Sequence, residues 1–276
     1  MSHAMPRTTA LAPLAALACL ALSSCQTVST TNAGAIGVQR KQVMLVSEAE
    51  VEQGAVQAYA QELDKARKGS ALNADPAEFA RVRAIAERLI HQTTVFRPDA
   101  AQWKWEVNVQ KTPELNAYCM PGGKIMVYSG LIDKLKLSDA ELATVVGHEM
   151  AHALREHSRE AMSRAAAENV GLSVLGALAG LGQDTVALAG QVANVTFNLP
   201  HGRQQESEAD AIGLELMARA GYDPHAALSL WQKMGQAAQG GPPAFLSTHP
   251  SSSTRLADLR ALLPKVEPLY QAARER

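Results

Sequence analysis

Apolar residues recur at three- and four-residue spacing through 47–68 and 76–92, the pattern of helices that bury one face. Asp75-Pro76 supplies a cap and a first-turn proline to the second of them. The period then changes. "WKWEVNVQ" (103–110) alternates as a strand does, with Trp103 and Trp105 pointing to one side into the core. "KIMVYSG" (124–130) reads as another strand after a turn at Pro121-Gly122-Gly123. Ser138 and Glu141 stand at capping-box spacing and open a helix through "TVVGHEMAHALREH" (144–157). Further helical periods cover 203–220, 224–238 and 252–262, with no repeat of fixed length. An apolar, Gly/Ala-rich stretch at 170–182 stops at Gln183-Asp184, short of a membrane span, and is expected to pack in the core. The pattern predicts an α+β fold, mainly helical, with a small sheet or hairpin beside the 138–157 helix.

The first residues stand apart. "MSHAMPRTTALAPLAALACLALSSC" has a weakly basic start at Arg7, an apolar run from Leu11 to Leu22 and small residues before Cys25, a secretory signal layout. Leu22-Ser23-Ser24-Cys25 looks like a bacterial lipobox, which predicts a lipoprotein signal peptide over 1–24 and a lipidated Cys25. Gln26 in the next place, rather than Asp, resembles sorting to the outer membrane, facing the periplasm. Residues 25–42, rich in Ser, Thr, Gly and Asn, read as a flexible tether. The domain is expected over 43–263 and a C-terminal tail over 264–276. Removal of Cys19 and lipidation of Cys25 leave Cys119 alone, so the domain needs no disulfide. Lys and Arg total 26 against 27 Asp and Glu, which lacks the basic footprint of a nucleic-acid partner.

The chemistry lies in H-E-x-x-H at His148, Glu149 and His152. Residues four apart on a helix lie about 40° apart around its axis, so the two imidazoles share a face and can reach one Zn²⁺. Glu149, roughly 100° around, is badly placed as a ligand and well placed to take a proton from water. A third ligand is still needed. His157 points about 140° away from His152 if the helix continues. In "RQQESEADAIGLELMA" (203–218), Glu206 and Asp210 share a face, while Glu208 points nearly opposite. Glu206 is placed to complete a His-His-Glu site, and Asp210 to fix the tautomer of a ligand imidazole. A charged surface helix would show the same residues.

Four blocks carry a more specific signal: "NAYCMPGGKIMVYSGLI" (116–132), "ELATVVGHEMAHALREH" (141–157), "ESEADAIG" (206–213) and "THPSSSTRL" (248–256). Together they resemble the metallopeptidase family (family 48) that contains HtpX and the CAAX prenyl endopeptidases, especially its short periplasmic lipoproteins of the BepA and LoiP type. The resemblance implies a zincin-type (gluzincin) domain holding one Zn²⁺ per chain. His148, His152 and Glu206 would be the ligands and Glu149 the catalytic base. It also places His249 near the metal, either donating to the transition-state oxyanion or filling zinc's fourth position as a plug. No stretch matches the tetratricopeptide repeats of BepA-like proteins. Asn116, Ala117 and Tyr118 are expected to bind an extended substrate by main-chain pairing, although they also suit a plain hairpin. His3, His91, His201 and His225 read as ordinary surface or core residues.

The implied activity is zinc-dependent endoproteolysis of misfolded or misassembled periplasmic and outer-membrane proteins, with the N-terminal lipid holding the enzyme on the membrane. The alternative is a non-catalytic, chaperone-like or scaffold lipoprotein on the same fold. Glu149 discriminates, because a protein that only binds has no chemical need for a base there.

Overall fold

The computed structural model describes residues 26–173, 185–238, 243–250 and 253–275. The signal segment 1–24, Cys25 and most of the apolar stretch 170–182 lie outside the described residues. In chain order the elements are β1 (Gln26–Val28), β2 (Gln42–Met44), α1 (Glu48–Lys68), α2 (Pro76–Ile90), β3 (Glu106–Gln110), β4 (Ala117–Met120), β5 (Lys124–Tyr128), α3 (Ser129–Leu135) and α4 (Asp139–Leu154). There follow α5 (His157–Ser173), α6 (Thr185–Phe197), α7 (Arg203–Arg219), α8 (Ala226–Ala237), α9 (Ala244–Thr248) and α10 (Arg255–Arg274). No helix among the described residues is long and apolar enough to cross a membrane.

The caps form where the sequence puts them. Ser47 and Ser138 close capping boxes with Glu50 and Glu141, and Asp75 accepts from the N–H groups of Ala77 and Glu78. Each pairs helix N–H groups that have no partner within their own helix. Gly122 and Gly123 make the β4–β5 turn with φ of 73° and 80°, values that L side chains rarely adopt.

In the three-stranded sheet β5 is central, parallel to β3 and antiparallel to β4, with Val109 opposite Val127 and Ala117 opposite Val127. Strand alternation sends Ala117, Cys119, Ile125 and Val127 into the main core with α2, α4, α7 and α8. Tyr118, Met120, Met126 and Tyr128 enter a smaller core under α1 and α6. Both faces are covered, so β4 and β5 are buried throughout. β3 starts at Glu106 rather than Trp103; the two tryptophans lie against each other at 5.3 Å in the lead-in, partly buried against the main core.

Two expectations are corrected. Residues 26–42 are no flexible tether. β1 pairs antiparallel with β2, and the chain between them is bonded to the domain. Asn32 N–H donates to Phe96 O at 2.7 Å, and Ala35 and Ile36 N–H donate to Glu215 Oε2 at 2.8 and 3.0 Å. Glu215 is wholly buried, and a buried carboxylate must be paired, so this segment is part of the packed domain. The C-terminal tail is likewise structured from residue 264 on. α10 runs through Pro264 and Pro268 to Arg274, and Val266 is fully buried. Prolines that usually end a helix are held here by that burial.

Candidate metal centre

α4 is buried from Glu141 to Leu154 and crosses α7 through a glycine contact. A Cβ on Gly213 would lie 2.8 Å from His148 N and 2.9 Å from Gly147 C, so only glycine permits this approach. The crossing brings the first turns of α7 onto the H-E-x-x-H face. His148 Nε2 and His152 Nε2 stand 3.1 Å apart. Glu206 places Oε1 3.3 Å from His152 Nε2 and Oε2 3.5 Å from His148 Nε2. One turn on, Asp210 Oδ1 lies 3.1 Å from His148 Nδ1, where it would hold the proton on Nδ1 and leave the Nε2 lone pair to a bound cation. His249, after α9, brings Nδ1 to 3.0 Å from Glu206 Oε1 and 3.3 Å from His148 Nε2. One donor atom from each of these four buried residues lies within 4.8 Å of the others.

This nitrogen and carboxylate set fits Zn²⁺. Its electrostatics favour a cation as well. At His148 burial opposes charge, yet the Asp210 and Glu206 carboxylates override it and lift its pKa to about 9. Burial likewise opposes the Glu206 carboxylate, but His148, His152 and His249 drive it far below the usual carboxylate range. His152 is kept neutral by burial and by His201, as a ligand must be. Glu149 is 3% exposed, and its Oε1 has no hydrogen-bond partner among the described residues. His249 Nε2 stands 3.4 Å from that oxygen. Burial raises the Glu149 pKa, the direction that readies a carboxylate to accept a proton near neutral pH.

Three neighbours of the cluster, His157, His201 and Arg255, carry no such role in the sequence pattern. His157 does not point away from His152, because the helix does not continue. α4 ends at Leu154, Glu156 takes φ of 52°, and α5 starts at His157. This kink turns the imidazole back, with Nδ1 2.9 Å from His152 Nδ1. His201 is not an ordinary residue either. Its ring lies 4.0 Å from that of His152 and 5.1 Å from that of His249. Its loop position carried no periodic signal. Arg255 sits in the quoted "THPSSSTRL" block; its Nη2 donates to Glu206 Oε2 at 3.1 Å and Asp210 Oδ1 at 2.7 Å, and its guanidinium lies over Trp231.

β4 is an edge strand of the sheet, packed beside α4. Tyr128 N–H donates to Asn116 O at 3.1 Å. The antiparallel alternation set by that bond turns the main-chain groups of Ala117 and Cys119 away from β5. Ala117 N–H is covered by Asn116 Oδ1 at 3.0 Å. Tyr118 belongs to the small core, edge-on to Phe197 at 5.0 Å.

Residues 76–263 match peptidase family M48. The chain is 41% identical over 152 residues to the mitochondrial metalloendopeptidase OMA1 of Arabidopsis thaliana, covering 55% of this chain and 30% of that protein. With the Schizosaccharomyces pombe OMA1 it shares 39% identity over 170 residues, 59% of this chain and 48% of the relative. With the beta-barrel assembly-enhancing protease of Escherichia coli strain K12 it shares 32% over 171 residues, 59% and 35%. The matched region spans less than half the length of each of these relatives.

Proposed function

Because the chain belongs to peptidase family M48, we propose that it is a zinc-dependent endopeptidase of the bacterial cell envelope that cleaves misfolded or misassembled periplasmic and outer-membrane proteins. The observation that carries this reading is the convergence of His148, His152 and Glu206 on one point, with the buried Glu149 carboxylate beside them. Zn²⁺ bound there would supply Lewis acidity toward the scissile carbonyl and the attacking water. Glu149 takes the proton from that water and hands it to the leaving amine. Asp210 holds the His148 tautomer, and Arg255 holds both Glu206 and Asp210 in place.

His249 is read as the plug. Its Nδ1 lies among the ligand atoms and its Nε2 beside Glu149, which supports a side chain that would block substrate and water from a metal bound there. Withdrawal of His249 opens that position. An extended peptide would then pair with the outward groups of Ala117 and Cys119 on β4, displacing Asn116 Oδ1 from Ala117 N–H, a mode largely indifferent to side chains. That suits unfolded chains of varied sequence.

The envelope assignment rests on the lipobox-like segment ending at Cys25 and on the likeness to the beta-barrel assembly-enhancing protease. A diacylated Cys25 would hold the enzyme on the outer membrane, facing the periplasm. The test compares the purified chain on one protein in its folded and unfolded forms. Cleavage of the unfolded form, lost in Glu149→Gln, supports the reading; equal cleavage by wild type and Glu149→Gln contradicts it.

A further inference from the structure

His152 is held from behind by a chain of groups that ends on the N-terminal segment. It turns Nε2 toward the donor cluster, 3.1 Å from His148 Nε2 and 3.3 Å from Glu206 Oε1. A cation there requires the lone pair on Nε2 and so the proton on Nδ1. Nδ1 faces His157 Nδ1 at 2.9 Å. Two facing ring nitrogens bond only when one of them carries a proton, so His157 accepts at Nδ1 and holds its own proton on Nε2. That Nε2 meets Glu208 Oε2 at 3.2 Å. His157 is wholly buried and Glu208 nearly so.

Two arginines hold the far carboxylate. Arg155, fully buried, donates to Glu208 Oε2 from Nε at 3.1 Å and from Nη2 at 3.0 Å. Arg40 donates to both Glu208 oxygens and forks onto Glu160. Residues around Arg40 secure Arg155 in turn. The Thr30 and Thr31 hydroxyls and Arg40 O accept from its guanidinium, and Gln42 Nε2 donates to its backbone oxygen at 2.8 Å.

We propose that His157 and Glu208 are positioning residues for His152, and that the segment 30–42, through Arg40, sets the metal affinity of the site by holding this relay. The proposal rests on the reading of His148, His152 and Glu206 as the metal ligands. Without the relay, His152 is free to carry its proton on Nε2, where it has no lone pair to offer, and its ring loses its orientation. Partners of this kind behind a ligand are worth roughly 10–100-fold in metal affinity.

The experiment measures the zinc Kd of the full chain by competition with a chromophoric chelator, beside thermal unfolding of the metal-free protein. His157→Phe keeps a ring and removes both bonds; it is expected to weaken zinc binding by roughly 10–100-fold. His157→Gln offers an acceptor and a donor in similar places and is expected to recover most of that loss. Arg40→Ala, far from the ligands, is expected to weaken binding by about tenfold. A Kd within twofold of wild type in both His157→Phe and Arg40→Ala overturns the proposal. So does a His157→Gln variant as weak as His157→Phe, which would mean that ring packing alone matters. Should His157→Phe fail to fold, Arg40→Ala decides. His148→Ala separates the two levels. If it leaves zinc binding intact, the ligand reading is wrong; if it abolishes binding while the relay variants do not weaken it, only the relay is wrong.

Discussion

Gly213→Ala is the smallest perturbation that reaches the site through its scaffold. The added Cβ would stand 2.8 Å from His148 N, 2.9 Å from Gly147 C and 3.0 Å from His148 Cα, all of them backbone of α4. No flexible side chain can swing aside, so α7 must move away by about 0.6 Å to restore ordinary van der Waals contact. Glu206 and Asp210 ride on α7 and must bond groups on α4. Metal–ligand distances tolerate only about ±0.2 Å, so a shift of this size detaches Glu206 or strains the site. Two energies oppose each other. Ala is the better helix former by about 1 kcal/mol, whereas overpacking a buried contact costs roughly 1–3 kcal/mol. The clash involves rigid backbone on both helices, which puts the cost toward the upper end of that range, and the metal-free protein is expected to lose up to about 2 kcal/mol net. Zinc affinity is expected to fall by about tenfold or more. Urea unfolding of the metal-free protein and chelator competition for zinc measure the two effects separately. A variant that is stabilised, as propensity alone dictates, and binds zinc as wild type does would refute the close-contact argument.

Other consequences follow from the same site. Glu149→Gln removes the base and spares the ligands; kcat should drop by roughly 10²–10⁴ with zinc content unchanged, as read by metal analysis and peptide cleavage. His249→Ala should raise proteolysis if the side chain plugs the site; a fall in kcat with zinc retained would assign it to the transition state instead. Burial opposes charge on Glu160, but bonds from Arg40, Gln205 and Gln42 hold its pKa at about 2 against an ordinary 4.5. The unfolded chain therefore binds the extra proton first, so this contribution to stability is full above about pH 4.5 and is lost as pH falls toward 2. Unfolding followed across that window should show a weaker acid dependence in Glu160→Gln than in wild type. Cys25→Ser should release the protein from the membrane fraction, because two acyl chains hold where none can; a variant that still fractionates with the membrane would remove the anchor from the account.

Two pairs are legible in the sequence, His148 with His152 and Glu206 with Asp210, because residues four apart share a helix face; that the two faces meet is implied by the resemblance alone, and it is the α4–α7 crossing that brings them together. His157 escapes the same periodicity, since a single left-handed residue, Glu156, breaks the helix whose continuation the spacing assumes. The segment 26–42 has the composition of a linker, and its order comes from bonds to Arg155, Glu208 and Glu215, more than 100 residues away in the chain. Composition cannot report such pairings. The helical period reads over 252–262 and no further, whereas α10 continues through Pro264 and Pro268 to Arg274 with Val266 buried, a tertiary contact that local periodicity does not carry. Main-chain pairing is expected at Asn116, Ala117 and Tyr118, whereas the groups that face away from β5 are those of Ala117 and Cys119, a phase set by which residue of β5 bonds Asn116.

Whether the point shared by His148, His152 and Glu206 is a catalytic zinc site is tested by hydrolysis of casein by the purified chain, stripped with chelator and then titrated with zinc. Cleavage is expected to be lost on stripping, to recover at about one equivalent of zinc per chain, and not to recover in Glu206→Ala at the same zinc concentration. Cleavage that survives complete removal of metal, or that zinc restores equally in Glu206→Ala, would contradict a catalytic zinc site there.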